Sequence, residues 1–197
     1  VGDFMIDHYI IGESNRISPE APVPVVVPKK EYSIPGGAGN VAMNISALGS
    51  QVTCLGVIGN DVFGKKLIEI FNKNNISSKY IETIDNYSTT LKERIYCNGV
   101  QVARVDKEEQ LEWKPNQLEE LSDYSDYDII ILSDYDKGVL MKPWFIKPNK
   151  TDVILDPKNE RHEHLFMHSN IITPNLNELT KLSEVNINNK DSIVSAC

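Results

Sequence analysis

The run Ile34-Pro35-Gly36-Gly37-Ala38-Gly39-Asn40-Val41-Ala42-Met43-Asn44-Ile45 decides how the rest of the chain is read. Three glycines and two alanines fall within seven residues, so almost no side chain projects before Asn40. A β-like run precedes it, and a segment with helical spacing (Val41, Ile45, Leu48) follows. Glycines at a strand-to-helix turn let a ligand approach the backbone, and the unpaired N–H groups of the helix start point at that ligand. Asn40 offers both a donor and an acceptor, which suits a hydroxyl-rich sugar better than a bare phosphate. Neither Gly-Lys-Ser/Thr nor G-x-G-x-x-G completes the run, so it is not a Walker loop or a dinucleotide fingerprint. Taken alone, a Gly-Gly pair marks a tight turn with close helix packing. Its neighbours favour a ligand.

With 197 residues, 41% hydrophobic and 24% charged, the chain is an ordinary globular sequence able to bury a sizeable core. Its net charge of −8 argues against a nucleic-acid or anionic-membrane surface, so an anionic substrate needs a locally basic pocket. No stretch has the length of a membrane span, and no signal peptide is read. Cys54, Cys97 and Cys197 lack metal-ligand spacing; the first two read as strand residues and the setting as a reducing cytoplasm. The sequence starts at Val1 inside a strand-like run, so the natural N-terminus is expected upstream.

Residues 1–9 read as the end of a buried strand leading into a loop, with Asp3 and Asp7 four apart. Strand ends are where α/β folds bind ligands; Asp7, further along, is the ligand candidate, and an Asx-turn is the plainer role for the other. Arg16 to Val27 carries prolines and valines and reads as an irregular arm entering an edge strand. A bare apolar edge invites aggregation, so a partner strand or a second subunit is expected over it. After the glycine turn, 51–58 reads as a strand, 61–73 as a helix and 77–83 as a strand.

Residues 89–97 and 100–106 alternate with period two around Asn98-Gly99, a hairpin signal. Thr90, Lys92 and Arg94 then share one face, and so do Arg104 and Asp106. This basic face either binds a substrate phosphate or is a solvated face with cross-strand ion pairs. From Pro115 the rhythm alternates: a helix over 115–123, then continuous apolar strands at 128–132, 153–155 and 170–172. Such runs between helices mean a parallel sheet covered on both faces. Their exits, Ser133-Asp134-Tyr135-Asp136-Lys137-Gly138, Asp156-Pro157-Lys158 and Thr173-Pro174-Asn175-Leu176-Asn177-Glu178, outline one crevice. Prolines in 141–150 leave room only for a short helix.

These motifs, in this order, resemble the ribokinase-like (pfkB) family of carbohydrate kinases over the whole chain. The glycine turn and Asn175-x-x-Glu178 carry the family resemblance. The Arg16-Ile-Ser-Pro-Glu-Ala-Pro-Val-Pro-Val25 arm and Ser133-Asp134-Tyr135 point to members that phosphorylate C1 of D-glycero-β-D-manno-heptose 7-phosphate. The resemblance implies an α/β, doubly wound, mainly parallel sheet with a small β lid from segments near 22–34 and 88–106, as one incomplete kinase domain over 1–197. It implies ATP and Mg2+ as cofactors; the apolar arm, beside a two-stranded ribbon too small to be stable alone, predicts a homodimer joined through the lid.

By the same resemblance Asp7, Gly36, Gly37 and Asn40 would hold sugar hydroxyls, with Asp134 beside them. Lys92, Arg94 and Arg104 would meet the 7-phosphate, and Lys158 the nucleotide phosphates. Asn175 and Glu178 would help place magnesium, Glu178 through water, which fits the oxygen ligands magnesium takes. Without the resemblance these two residues read as a helix capping box. The family's Gly-Ala-Gly-Asp motif, source of the general base and of the anion hole, is absent, so these 197 residues are expected to be roughly the first two-thirds of a kinase domain and inactive alone. The rivals are a family kinase for another sugar or a nucleoside, and a non-catalytic sugar-binding remnant.

Overall fold

The computed structural model describes residues 1–116, 126–158, 162–183 and 192–193. They fall into two compact units, Phe4–Glu109 and Val1–Asp3 with Gln110–Cys197.

The first unit opens with β1 (Phe4–Glu13), longer than the sequence suggests, so Asp7 lies within a strand rather than in an exit loop. The strand continues because both its edges are paired: β2 (Val27–Gly37) lies antiparallel on one side and β5 (Thr90–Cys97) parallel on the other. β6 (Val100–Lys107) completes a four-stranded sheet in the order β2-β1-β5-β6. Asn98 and Gly99 join β5 to β6 with φ of 51° and 82°, the positive pair that a tight two-residue hairpin requires. The Arg16–Val25 arm folds on itself through an Ile17–Pro24 bridge and then enters β2 at the sheet edge, where prolines are tolerated.

Between β2 and β5 run α1 (Ala38–Ala47), β3 (Val52–Gly59), α2 (Val62–Lys73) and β4 (Ile76–Ile84), with β3 and β4 paired in parallel. Alternation along β1 turns Phe4 and Ile6 to one face, where they join Leu67 and Phe71 of α2, Ala38 and Ala42 of α1, Ile58 and Leu91 in one core. Phe4 and Phe71 meet edge to face at 5.8 Å. Asp61 caps α2, accepting the Gly64 N–H at 2.7 Å, and its other oxygen accepts the Thr89 N–H at 2.8 Å. The start of β5 is thereby tied to the helix start. Cys54 and Cys97 are free and buried, and burial pushes the Cys54 thiol up to about 11.

In the second unit β7 (Ile129–Ser133), β8 (Asp152–Asp156) and β9 (Ile171–Ile172) form a parallel sheet in that order. Gly2 adds a parallel bridge to Ser133. Short helices α3 (Glu163–Met167) and α4 (Leu176–Ser183) follow β8 and β9. The expected short helix in 141–150 does not form; the segment runs in turns and bends. Aromatic burial holds it instead: Trp144 donates its indole N–H to the Val139 carbonyl at 2.7 Å and meets Trp113 edge to face. Most of the helix expected over 115–123 lies outside the described residues, as does Cys197. Four of the six strand pairings are parallel, which makes the described fold α/β with mainly parallel sheets.

Candidate functional site

The first group of site residues sits on the face of the four-stranded sheet opposite Phe4 and Ile6. Register pairs Met5 with Gly36 and Thr90, Asp7 with Lys92, and Tyr9 with Tyr32 and Arg94. Alternate residues therefore bring Gly36, Asp7, Lys92 and Arg94 onto one face. A Cβ on Gly36 would overlap an Asp7 carboxylate oxygen and lie 2.9 Å from Met5 Cγ, so only glycine leaves Asp7 its place. Gly37, at φ 56°, turns the chain from β2 into α1 and is its N-cap without a side-chain hydrogen bond. The start of α1 keeps its N–H groups free of any side-chain cap, and Asn40 is exposed in its first turn.

The arginines of this face are engaged with carboxylates. Arg94 donates to Asp7, and this hydrogen bond raises the guanidinium pKa further. Arg104 binds Asp106 through two nitrogens, each at 2.9 Å. Lys92 forms no ion pair among the described residues. The basic hairpin thus carries two ion pairs, neither of them between its own two strands: Arg104–Asp106 lies within β6, and Arg94–Asp7 reaches β1 and fixes Asp7. Three tyrosines extend the face: Tyr9 stacks on Tyr32 at 4.9 Å and 7°, and on Tyr96 at 6.3 Å, with the Arg94 guanidinium 5.4 Å from the Tyr9 ring. Sequence reading missed this stack, because only strand register shows that three separate tyrosines are neighbours.

The second group gathers where β7, β8 and β9 end. A cleft of about 260 Å³ is lined by Asp134, Tyr135, Asp156, Pro157, Lys158, Thr173, Pro174, Asn175 and Glu178, the three exits that the sequence brings together. The Asn175 side chain accepts the N–H groups of Asn177 and Glu178 at 3.0 and 3.1 Å, and Glu178 accepts the Asn175 N–H at 2.8 Å. This is the reciprocal capping box. Burial raises the Asp156 carboxyl, and the nearby Glu178 charge raises it further.

Asp3 builds the loop beneath this cleft rather than binding in it. Buried, it accepts the N–H groups of Tyr135, Lys137 and Val139 at 2.8, 3.2 and 3.1 Å. Burial still holds its carboxyl above the ordinary aspartate value. Asp134 is buried too, with one oxygen on the Asp136 N–H and the other 2.6 Å from His162 Nδ1. Nothing in the spacing of His162 signals this partnership. Among the described residues no three His, Cys, Asp or Glu side chains form a direct metal cage. No described helix is long and apolar enough to cross a membrane.

Comparison with known proteins bears on the fold and the family. The chain is 36% identical over its whole length to the bifunctional protein HldE of Sulfurimonas denitrificans, and covers 43% of it. Identity to the same-named proteins of Helicobacter pylori strain G27 and Wolinella succinogenes is 38% and 39%, again over the whole chain and 44% of the relative. The chain therefore spans less than half the length of these relatives. Among solved structures, Arabidopsis thaliana ribokinase complexed with ribose and ATP superposes with a TM-score of 0.74 at 19% identity, over 99% of this chain and 65% of that one. The tetrameric inhibited form of phosphofructokinase-2 from Escherichia coli gives 0.67 at 20%, over 98% and 66%. These likenesses make the fold ribokinase-like. The model of the pfkB family carbohydrate kinases matches residues 1–197, and the chain belongs to that family.

Proposed function

We propose that the protein containing this chain transfers the γ-phosphoryl group of ATP to a sugar phosphate. The acceptor we favour is the C1 hydroxyl of D-glycero-β-D-manno-heptose 7-phosphate, giving the 1,7-bisphosphate used for ADP-heptose and lipopolysaccharide core. The observation that carries this reading is the cleft at the ends of β7, β8 and β9, where Lys158 stands beside Asn175 and Glu178. A lysine among strand ends and a helix start suits nucleotide phosphates. Asp7, seated by Gly36 and oriented by Arg94, supplies an acceptor for sugar hydroxyls, with Asn40 and the uncapped start of α1 next in sequence.

Arg94 and Arg104 are held by Asp7 and Asp106, so Lys92 is the cation best placed to meet a substrate phosphate first. The carboxylates of Asp156 and Glu178 and the Asn175 amide are the oxygen donors that magnesium accepts, with water completing its shell. Magnesium would offset charge on the transferring phosphates. These 197 residues contain no Gly-Ala-Gly-Asp segment, and the proposal assigns turnover to the longer protein. The hairpin and the arm would act as a lid, shared with a second copy in a homodimer, in the cytoplasm.

Coupled ADP release by the full-length protein, with heptose 7-phosphate set against ribose, fructose and adenosine, tests the substrate. Turnover confined to heptose 7-phosphate is expected. Preference for another acceptor would move the protein elsewhere in the family, and sugar binding without turnover would identify a non-catalytic remnant.

A further inference from the structure

The cleft carries a charge problem. Asp134, Asp156 and Glu178 line it against the single ammonium of Lys158, yet the proposed ligand is a polyphosphate. Three carboxylates around one lysine repel such a ligand and compete for that lysine. Lys158 is exposed and its charge acts on Asp156, while no salt bridge joins it to Asp134 among the described residues, so another group must neutralise Asp134.

His162 is placed to do this for Asp134. Its ring is buried, with Nδ1 2.6 Å from Asp134 Oδ2 and Nε2 3.6 Å from Asp136 Oδ1. The Asp134 side chain is 1% exposed, so its oxygens meet protein groups rather than water. The Asp134 oxygen that meets His162 also accepts the Lys158 backbone N–H at 3.4 Å. One carboxylate oxygen thus links the histidine to the backbone of the residue that carries the cleft's cation. The groups facing the ring are Asp134 and Asp136 from the loop after β7, the Asp3 charge from the N-terminal segment, and the His164 ring at 6.1 Å. Three of the four are acids, and an imidazolium is the form they favour.

We propose that His162 is a positioning residue of the nucleotide site: as an imidazolium it neutralises Asp134 and leaves the Lys158 ammonium to the phosphates. The inference rests on the kinase reading above. The hydrogen bond that His162 donates to Asp134 holds the His162 pKa above its ordinary value despite burial. The lock is therefore closed below that raised value and opens as pH rises through it. Deprotonation returns an uncompensated carboxylate to the cleft wall, and affinity for a polyanion falls.

The test is calorimetric binding of Mg·ADP to the full-length protein between about pH 6 and about pH 9, for the wild type, His162→Gln and Asp136→Asn. The wild type should lose about tenfold in affinity across the histidine titration, and His162→Gln should bind about tenfold more weakly at low pH with a flat profile. Asp136→Asn removes one acid facing the ring while leaving His162 in place. It should shift the inflection to lower pH by about half a unit. This second variant keeps the proposal testable if His162→Gln folds poorly.

A His162→Gln profile that tracks the wild type, with only the melting temperature lowered, would make His162 a structural plug and overturn the inference while the kinase reading stands. An unshifted inflection in Asp136→Asn would overturn it equally. No binding of Mg·ADP by the wild type at any pH would remove the kinase reading, and the inference with it.

Discussion

Gly36 and Asp7 are diagonal neighbours across β2 and β1, so close that a single methyl group on Gly36 would occupy the space of an Asp7 carboxylate oxygen. The glycine is a condition for the aspartate's position. In the full-length protein, Gly36→Ala should raise the KM for sugar at least about tenfold, since one lost charge-assisted hydrogen bond costs roughly 1.5–3 kcal/mol. The KM for ATP should hardly change. Steady-state kinetics with each substrate varied separates the two, and equal rises would show that the turn as a whole had collapsed.

Asn40 is exposed in the first turn of α1, and its side chain has no role in capping that helix. Asn40→Ala should therefore leave the melting temperature nearly unchanged while weakening sugar binding by about 1–3 kcal/mol. Calorimetry with the sugar, beside a thermal melt, checks both halves. A drop in melting temperature without a change in affinity would make the residue structural.

Asn175 and Glu178 cap α4 reciprocally, so their variants must separate two roles. Asn175→Ser keeps a capping oxygen but loses the amide, whereas Asn175→Ala loses both. If the amide meets the nucleotide, both variants should weaken Mg·ATP binding alike. Only the alanine should also cost about 1 kcal/mol of stability. Denaturant unfolding and nucleotide titration on the same pair give the answer.

Asp61 carries the acid sensitivity of the first unit. Burial alone would raise its carboxyl, but the N–H groups of Gly64 and Thr89 more than offset this and hold it below the ordinary aspartate value. For a lowered acid pKa, the stabilisation is complete above the unfolded-state value and is lost as pH falls through the folded-state value. Asp61→Ala should cost about 1–2 kcal/mol at neutral pH, with the gap to the wild type narrowing below about pH 4. Urea unfolding at two pH values measures it; a gap independent of pH would assign the cost to packing.

The sheet's two edges predict association. β6 is exposed along its whole length, with Val100 66% exposed, and Val27 at the start of β2 is 51% exposed. Uncovered apolar edges are a liability that a symmetric partner removes. The full-length protein should be a dimer by light scattering, and Val27→Asp with Val105→Asp should shift it toward monomer. A wild-type monomer that stays fully active on tenfold dilution would exclude a shared lid.

What the sequence revealed and what it hid follow from the range of the interactions. The glycine turn, the Asn98-Gly99 hairpin and the Asn175–Glu178 box are local, each written within a few consecutive residues, and each forms as read. The cleft was legible because three strands end in polar residues and parallel strands end on one side. The Asp7–Arg94 pair, the tyrosine stack and the His162–Asp134 contact span 23 to 87 positions and depend on register or loop path, which no local pattern encodes. The missed extension of β1 has the same origin, since pairing on both edges prolongs a strand whose buried start gives way to half-buried residues. Residues 141–150 misled for another reason: their prolines were read correctly as breakers, but tryptophan burial replaced the helix altogether.

The two units differ in how the chain composes them. Phe4–Glu109 is one unbroken stretch, whereas the other unit joins Val1–Asp3 to residues that begin at Gln110. On a ribosome the unbroken stretch can emerge and fold while synthesis continues. Asp3 must wait, because the three N–H groups it will accept belong to Tyr135, Lys137 and Val139, more than 130 residues later. Closing so long a loop is entropically slow. The order of synthesis therefore sets an order of assembly, with the sheet face that carries Asp7 complete before the loop that carries Asp134 can be anchored.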